Sequence, residues 1–281
     1  VTDKRLPRQG GTEGNDDPPA IWVGYGRLLK LHRKRAGMNQ EQLAEAMVYS
    51  PHQIASVEQG RRPAKLHFTE TAERVLDAGG NLLALQEQVD LAKLPAFFQD
   101  FAVIEADAVS RFSYDPLLVP GLLQTEDYAR AVFLARCPPM EDETVERHVE
   151  ARLSRQKILT KTPLVELSFI IGEAVLHCPV GGRETMKAQL EQLLRCMRLR
   201  NVEIQVMPTS NGSHAGLHGP LVLLETTDHR RVAYFESHDE SMMISDPKKV
   251  SAFELRYGKL RTQALNSQES ARLIERVAGE A

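Results

Sequence analysis

The sequence predicts an all-α helix-turn-helix domain followed by an α/β domain with a modest sheet. Three observations predict it. The stretch Met38–Gly60, MNQEQLAEAMVYSPHQIASVEQG, reads as two short capped helices joined by a tight turn. Helical signals continue without strand signals to about Leu91. Further on, alternating apolar strands at Leu164–Ile171 and Val202–Met207 bracket an amphipathic helix at Glu184–Met197.

Taken in chain order, residues 1–20 are rich in Gly, Pro, Asp and Asn and read as a disordered tail. Residues 21–93 form the helical domain. In its second helix Asn39 is the cap and Gln42 closes a capping box, with Leu43, Ala44 and Met47 on one face. Ser50 caps the third helix, Pro51 takes its first position, and Gln53 stands where a second capping box needs it. Ile54 and Val57 turn inward toward Leu43 and the small Ala44, and Gly60 ends the helix. Pro51, His52, Gln53 and Ser56, with Ala55 beside them, are then left outward or sideways. Two more helices, Thr69–Asp77 and Leu82–Leu91, are separated by Gly79-Gly80. Pro95 marks the end of the domain, and residues 94–100 read as a linker.

Residues 101–281 form the α/β domain. Ala102–Ser110 suits a strand or a helix. Pro116–Pro120 is an extended connector, Thr125 caps a helix to about Ala135, and Asp142–Leu159 is a longer helix rich in Arg and Glu. Leu221–Leu224 and Val232–Glu236 flank Asp228-His229 as a candidate hairpin. Asp246-Pro247 starts a helix running to about Leu265, and Ser267 begins a last one with Leu273, Ile274 and Val277 apolar.

Composition narrows the function classes. The 281 residues carry a net charge of −3, with 42% hydrophobic and 26% charged residues, ordinary for a water-soluble globular chain. A mildly acidic total argues against non-specific coating of nucleic acid. The local balance differs: Arg27, Lys30, Arg33, Lys34, Arg35, Arg61, Arg62 and Lys65 surround the helix-turn-helix. Cap, turn, core pattern and basic surround together point to double-stranded DNA. Pro51, His52, Gln53 and Ser56 are the candidates for reading bases; Asn39, Gln40, Arg61 and Arg62 are those for holding phosphates. No apolar run is long enough to span a bilayer, and the polar start carries no secretion signal. The three cysteines, Cys137, Cys178 and Cys196, form no CxxC pair and read as reduced thiols. These features suit a cytoplasmic, nucleoid-associated protein.

The residues quoted carry a resemblance. Tyr25–Pro63 resembles the DNA-binding domain of the Xre/Cro, phage-repressor-like family, through GRLLKLHRKRAG, NQEQLAE, SPHQIASVEQG and RRP. The resemblance implies that Gln40 holds a phosphate, that Pro51, His52 and Ser56 reach base edges, and that Glu58 supports the domain through a buried ion pair or hydrogen bond. It also implies a dimer on paired half-sites. Val48 stands where the family usually has Gly, so the turn is either strained or shaped differently. Beyond the head, PGLLQTEDYA at Pro120–Ala129, then ARLSRQ, EAVLHCPVGG and ALNSQESARLI, resemble the C-terminal domain of WhiJ-like actinobacterial regulators. That resemblance implies a sensor or partner-binding domain, with a small neighbour-encoded protein as partner in an antitoxin-like arrangement. It supplies no catalytic residues.

Other side-chain clusters carry competing readings. Pro120–Ala129 is a capped turn anchored by Leu122-Leu123 and Tyr128, and also suits an effector or partner loop presenting Gln124 and Tyr128. Arg152 and Arg155 lie on one side of their helix; the default is a salt-laced exposed face, the alternative an anion site for an effector. His214 and His218 sit in a glycine-rich loop, where a lid or contact role outweighs a metal site with His177 or Cys178. Ser237–Ser241, SHDES, is a polar loop rather than a triad, because triad members are assembled by the fold. Glu236, ending an apolar strand, is a candidate buried acid facing a ligand. GxSxG, phosphate-loop and dinucleotide motifs are absent from the sequence. No enzyme, metal or cofactor is therefore expected.

Overall fold

A computed structural model describes residues 18–94, 96–237 and 240–280. The expected tail thus lies almost wholly outside the described residues. The chain divides into two compact units, the first ending at Ala92 and the second beginning at Lys93. The first is all-α and the second α/β with a six-stranded sheet.

The first unit comprises α1 (Ala20–Arg35), α2 (Gln40–Met47), α3 (Pro51–Glu58), α4 (Leu66–Leu76) and α5 (Gln86–Leu91). Its core gathers Trp22, Tyr25 and Leu29 of α1, Leu43, Ala44 and Met47 of α2, and Ile54 and Val57 of α3 around Phe68, Ala72 and Val89. Gly26 is required by close approach. A Cβ there would run into the carbonyl oxygens of Val57 and Glu58, so only glycine lets α1 lie on the end of α3. A buried polar chain ties the later helices in: Tyr25 Oη meets Thr69 Oγ1 at 2.7 Å, Thr69 donates to Gln86, and Gln86 Nε2 donates to the Ala64 carbonyl. The segment expected as one helix over Leu82–Leu91 is split. Leu83–Leu85 is a 3-10 turn, because the Glu73 carboxylate accepts the N–H groups of Gly80, Leu82 and Leu83 and holds the chain there.

The second unit opens with α6 (Ala96–Ala106), so residues 96–100 are helical and not the linker expected. Strand β1 (Ala108–Asp115) follows at once. Then come a 3-10 turn at Gly121–Leu123, α7 (Glu126–Leu134), α8 (Asp142–Arg155), β2 (Glu166–Gly172), α9 (Glu173–His177), α10 (Arg183–Cys196) and β3 (Val202–Met207). The chain closes with β4 (Leu221–Thr226), β5 (Arg231–Ser237), β6 (Glu240–Ile244), α11 (Pro247–Gln263) and α12 (Ser267–Glu280). Ser241, expected in a polar loop, lies in β6, where it pairs with Glu236 in the β5 ladder; His238 and Asp239 fall outside the described residues.

The sheet order is β3-β2-β1-β4-β5-β6. β1, β2 and β3 are parallel, and β4, β5 and β6 continue antiparallel from β1. Parallel strands need helices on both faces. One face carries Leu167, Phe169, Ile171, Ile204, Val206 and Leu224 under α6, α10 and α12; the other carries Tyr114, Ile170, Leu221, Leu223 and Ala233 under α11. β2 is accordingly buried on both sides from Leu167 to Gly172. The two α/β crossovers from β1 run to one side of it, and β4 returns on the other. β1 and β4 therefore flank the point where the strand order reverses, and the carboxyl end of β1 opens a crevice there.

Candidate functional site

The head presents a capped α3 at the surface. Ser50 Oγ accepts the Gln53 N–H at 3.1 Å, and Pro51 fills the first position, leaving Pro51, His52 and Gln53 exposed. The full capping box is on α2, where Asn39 Oδ1 accepts from Gln42 N at 2.8 Å and Gln42 Oε1 accepts from Asn39 N at 2.9 Å. Ser56 is corrected. It is 2% exposed, and its carbonyl accepts the N–H groups of Arg61 and Arg62. Its short side chain is covered and does not join the outward face. Arg61 and Arg62 are exposed beside the same helix end.

Two more residues are placed differently from expectation. Arg33 leaves the basic surface: it is buried, and its Nε and Nη2 donate to Glu58 Oε1 and Oε2 at 2.5 and 2.9 Å. Gln40 is half-buried, and its Nε2 donates to Glu58 Oε2 at 2.7 Å. Glu58 therefore joins α1, α2 and α3. Arg27, Lys30, Lys34, Arg35, Arg61, Arg62 and Lys65 remain exposed. Val48 resolves the turn: its φ of 60° and ψ of 44° place it in the left-handed region, 90% exposed. The turn keeps its shape and Val48 carries the strain.

In the second unit a crevice opens at the carboxyl end of β1. Two cavities of about 520 and 140 Å³ share Asp115, Gly121, Arg152, Pro220 and Glu236 as lining, so they form one groove. Behind it lies a buried polar network. Glu105 of α6 accepts Arg111 Nε of β1 at 2.9 Å, and Arg155 of α8 through Nε at 2.8 Å and Nη2 at 2.6 Å. Arg111 Nη1 donates to Ser113 Oγ, which donates to Asp115 Oδ2 at 2.6 Å. Burial pushes the Glu105 carboxyl up, but Arg155 and Arg111 outweigh it and hold the group below the usual carboxylate range. Burial dominates at Asp115, whose carboxyl is pushed up to about 6 against the opposing pull of Arg111 and the Ser113 hydroxyl.

Gln124 and Tyr128 are buried and hold the groove wall. Tyr128 Oη accepts the Val119 N–H at 3.2 Å, and Gln124 Nε2 donates to the Val119 carbonyl at 2.7 Å. Gln124 Oε1 then accepts Arg152 Nη1 at 2.8 Å. The anchored-turn reading of Pro120–Ala129 is thus met in detail, and the same turn aims Arg152. Arg152 and Arg155 are half-buried rather than on an exposed face, stacked on Phe133 and Phe98 with 4.2 and 4.4 Å from guanidinium carbon to ring centre. Burial, with Arg155 nearby, pushes the Arg152 guanidinium down to about 10.

Glu236 reaches the groove but is exposed, not buried, and accepts Tyr234 Oη at 3.2 Å. Its strand ends one residue later, at the mouth of the crevice. His214 is not brought there. Its Nδ1 accepts the Gly216 N–H and its ring packs on Tyr114, which belongs to the opposite face of the sheet. Among the described residues no group of three or more His, Cys, Asp and Glu is arranged to hold a metal ion. Sequence reasoning missed Glu105, Arg111, Ser113 and Asp115. The signal was the alternation Arg111, Ser113, Asp115 against Phe112 and Tyr114; a polar strand face is ordinarily solvent-facing, and here it is roofed by α6 and α8.

A family model described as a helix-turn-helix domain matches residues 25–86. A second, described as a domain of unknown function (DUF5753), matches residues 98–276. No curated protein matches the chain. No helix among the described residues is long and apolar enough to cross a membrane.

Proposed function

The chain belongs to the DUF5753 family, and from that premise we propose that it is a sequence-specific transcriptional regulator whose second domain senses a ligand or a small protein partner. The observation that carries the reading is the capped α3 with His52 and Gln53 exposed at its start, in a region matched by a helix-turn-helix family model. In the proposed docking α3 lies in the major groove, with Pro51, His52 and Gln53 against base edges. Asn39 and Gln40 at the start of α2, with Arg61 and Arg62 after α3, hold phosphates on either side. Gln40 uses one amide hydrogen on Glu58, and the second serves the phosphate.

The phage-repressor-like resemblance extends the reading to a homodimer on a roughly palindromic operator, with half-sites about 34 Å apart. No catalysis is assigned to either domain. The test is genome-wide occupancy of the tagged protein, followed by gel shifts on the enriched sequence. A sharp palindromic motif is expected; uniform, sequence-independent occupancy rules the reading out.

A second reading has its own support. β6 is one of the two outer strands of the sheet, and among the described residues it pairs with β5 alone, with Met242 61% and Met243 42% exposed. Such an edge suits strand addition by a small partner. The protein is then antitoxin-like, sequestering a neighbour-encoded protein and binding DNA at its own promoter. Co-expression and co-purification with that neighbour test this reading, which a separately eluting pair overturns.

A further inference from the structure

We propose that the groove at the carboxyl end of β1 binds a small zwitterion of the α-amino-acid class, carboxylate against Arg152 and ammonium between Asp115 and Glu236. The inference rests on the sensing role proposed above and names its ligand.

Charges of both signs meet at the junction of the two cavities without a direct ion pair, Glu236 attracting Arg152 across the groove. Arg152 spends one nitrogen on the neutral Gln124 amide and stacks on Phe133; no carboxylate among the described residues lies within ion-pair distance of it. Asp115 takes a hydroxyl from Ser113 and Glu236 one from Tyr234; among the described residues neither is in ion-pair contact with a cation, Arg111 acting on Asp115 and Arg152 on Glu236 only from a distance. The remaining carboxylate, Glu105, is consumed by Arg111 and Arg155. A half-buried guanidinium without a counter-ion is costly, and so is a carboxyl deprived of water. A simple anion would satisfy Arg152 but be repelled by Asp115 and Glu236. A simple cation would meet the reverse difficulty. A ligand carrying both groups on adjacent atoms answers both, and the planar guanidinium offers a carboxylate two parallel N–H donors.

The walls set the rest of the ligand. Leu117, Leu118, Val132 and Phe133 line the larger cavity of about 520 Å³, room for an apolar side chain beside the charged head. Tyr128, Gln124 and Val119 fix Arg152 beforehand, so its position does not depend on ligand.

Calorimetric titration and thermal shift of the full chain test the assignment, with L-leucine and L-phenylalanine as probes. N-acetyl-L-leucine removes the ammonium, and L-leucinamide removes the carboxylate. We expect saturable binding of at least one probe, weakened tenfold or more in each truncated analogue. Glu236→Gln, at an exposed position, should weaken it tenfold, and Arg152→Met should abolish it. If Arg152→Met fails to fold, the analogues and Glu236→Gln still decide. Equal binding of N-acetyl-L-leucine, or no binding of any of the common amino acids, overturns the inference. Gel shifts on the same preparation separate the two readings. Failure of the titration with operator binding intact removes only the ligand, whereas loss of sequence-selective DNA binding removes the regulator.

Discussion

Arg33 and Glu58 grip each other through two parallel bonds, Nε to Oε1 at 2.5 Å and Nη2 to Oε2 at 2.9 Å, with both side chains buried. The pair fastens the end of α1 to the end of α3, and Gln40 brings in α2 through the same carboxylate. Helix α3 is therefore oriented by its own carboxylate, which is bonded to the other two helices. Removing one partner strands the other charge in the interior. Arg33→Met or Glu58→Gln should each lower stability by about 3–5 kcal/mol in urea melts. The double substitution should cost less than the sum of the single ones. A loss below about 1 kcal/mol for the single variants would show that the pair is solvated.

Val48 supplies a gain in the opposite direction. A β-branched residue at φ 60° carries about 1–2 kcal/mol of backbone strain, and its exposed side chain returns little packing. Val48→Gly should stabilise the chain by on the order of 1 kcal/mol, net of the greater freedom glycine has when unfolded. Thermal unfolding checks the sign. An unchanged or lower midpoint would mean that Val48 makes compensating contacts.

The head was legible in the sequence because its signals are local. Asn39, Ser50 and Pro51 act within one helical turn, and Leu43, Ala44, Ile54 and Val57 need only a 3.6-residue period. Ser56 was misread because its burial depends on tertiary packing, which the helical period alone does not encode. In the second domain β2 to β5 were legible as apolar strand runs, β6 was not, and Asp246 caps α11 as its position suggested, accepting the Lys249 N–H. The groove was only half legible. Arg152, Arg155 and Gln124 stood out by residue type, but Glu105, which binds Arg155 and Arg111, and Asp115, which lines the groove beside Arg152, come from elements that meet only when the sheet closes. Glu105 and Arg155 are 50 residues apart and share one bond pair.

Separating base readers from phosphate holders gives a third expectation. His52→Ala and Gln53→Ala should relax base preference, each by about 1–3 kcal/mol of discrimination. Arg61→Ala should weaken binding evenly across sequences and reduce the salt slope by about 1. Ser56→Ala should leave base preference unchanged, since the hydroxyl is covered. Competition gel shifts against a randomised operator distinguish these classes. Altered preference in Ser56→Ala alone would reverse the assignment.

Tyr128 tests the wall of the groove. It is fully buried, and its hydroxyl is the acceptor for the Val119 N–H. Tyr128→Phe removes only that oxygen and leaves a buried donor unmet, so the cost should be about 1–3 kcal/mol. The same change should loosen Val119 and, through Gln124, the seat of Arg152. Hydrogen exchange at Val119 reads the effect directly, and unchanged protection there would dissociate the hydroxyl from the wall.

Asp115 and Glu105 should leave opposite marks on stability against pH. The folded Asp115 carboxyl is pushed up to about 6, so between its ordinary unfolded value near 4 and about 6 the folded chain holds a proton that the unfolded chain has lost. Its contribution is full below that window and declines as pH rises through it, at no more than about 1.4 kcal/mol per pH unit. Glu105 is held below the usual carboxylate range, so its contribution is full above that range and is lost only as the solution becomes more acid. The windows do not coincide, which makes the two groups separable in one experiment. Asp115→Asn should flatten the profile between about pH 4 and pH 6 relative to the parent chain and leave the acid limb in place. Glu105→Gln should lower stability throughout, because Arg111 and Arg155 lose their shared counter-ion, and the penalty should shrink at the acid end. Urea melts across that range supply the difference curves. If the Asp115→Asn difference is flat from pH 4 to 6, the carboxyl is ionised throughout and the pull of Arg111 and the Ser113 hydroxyl already offsets its burial.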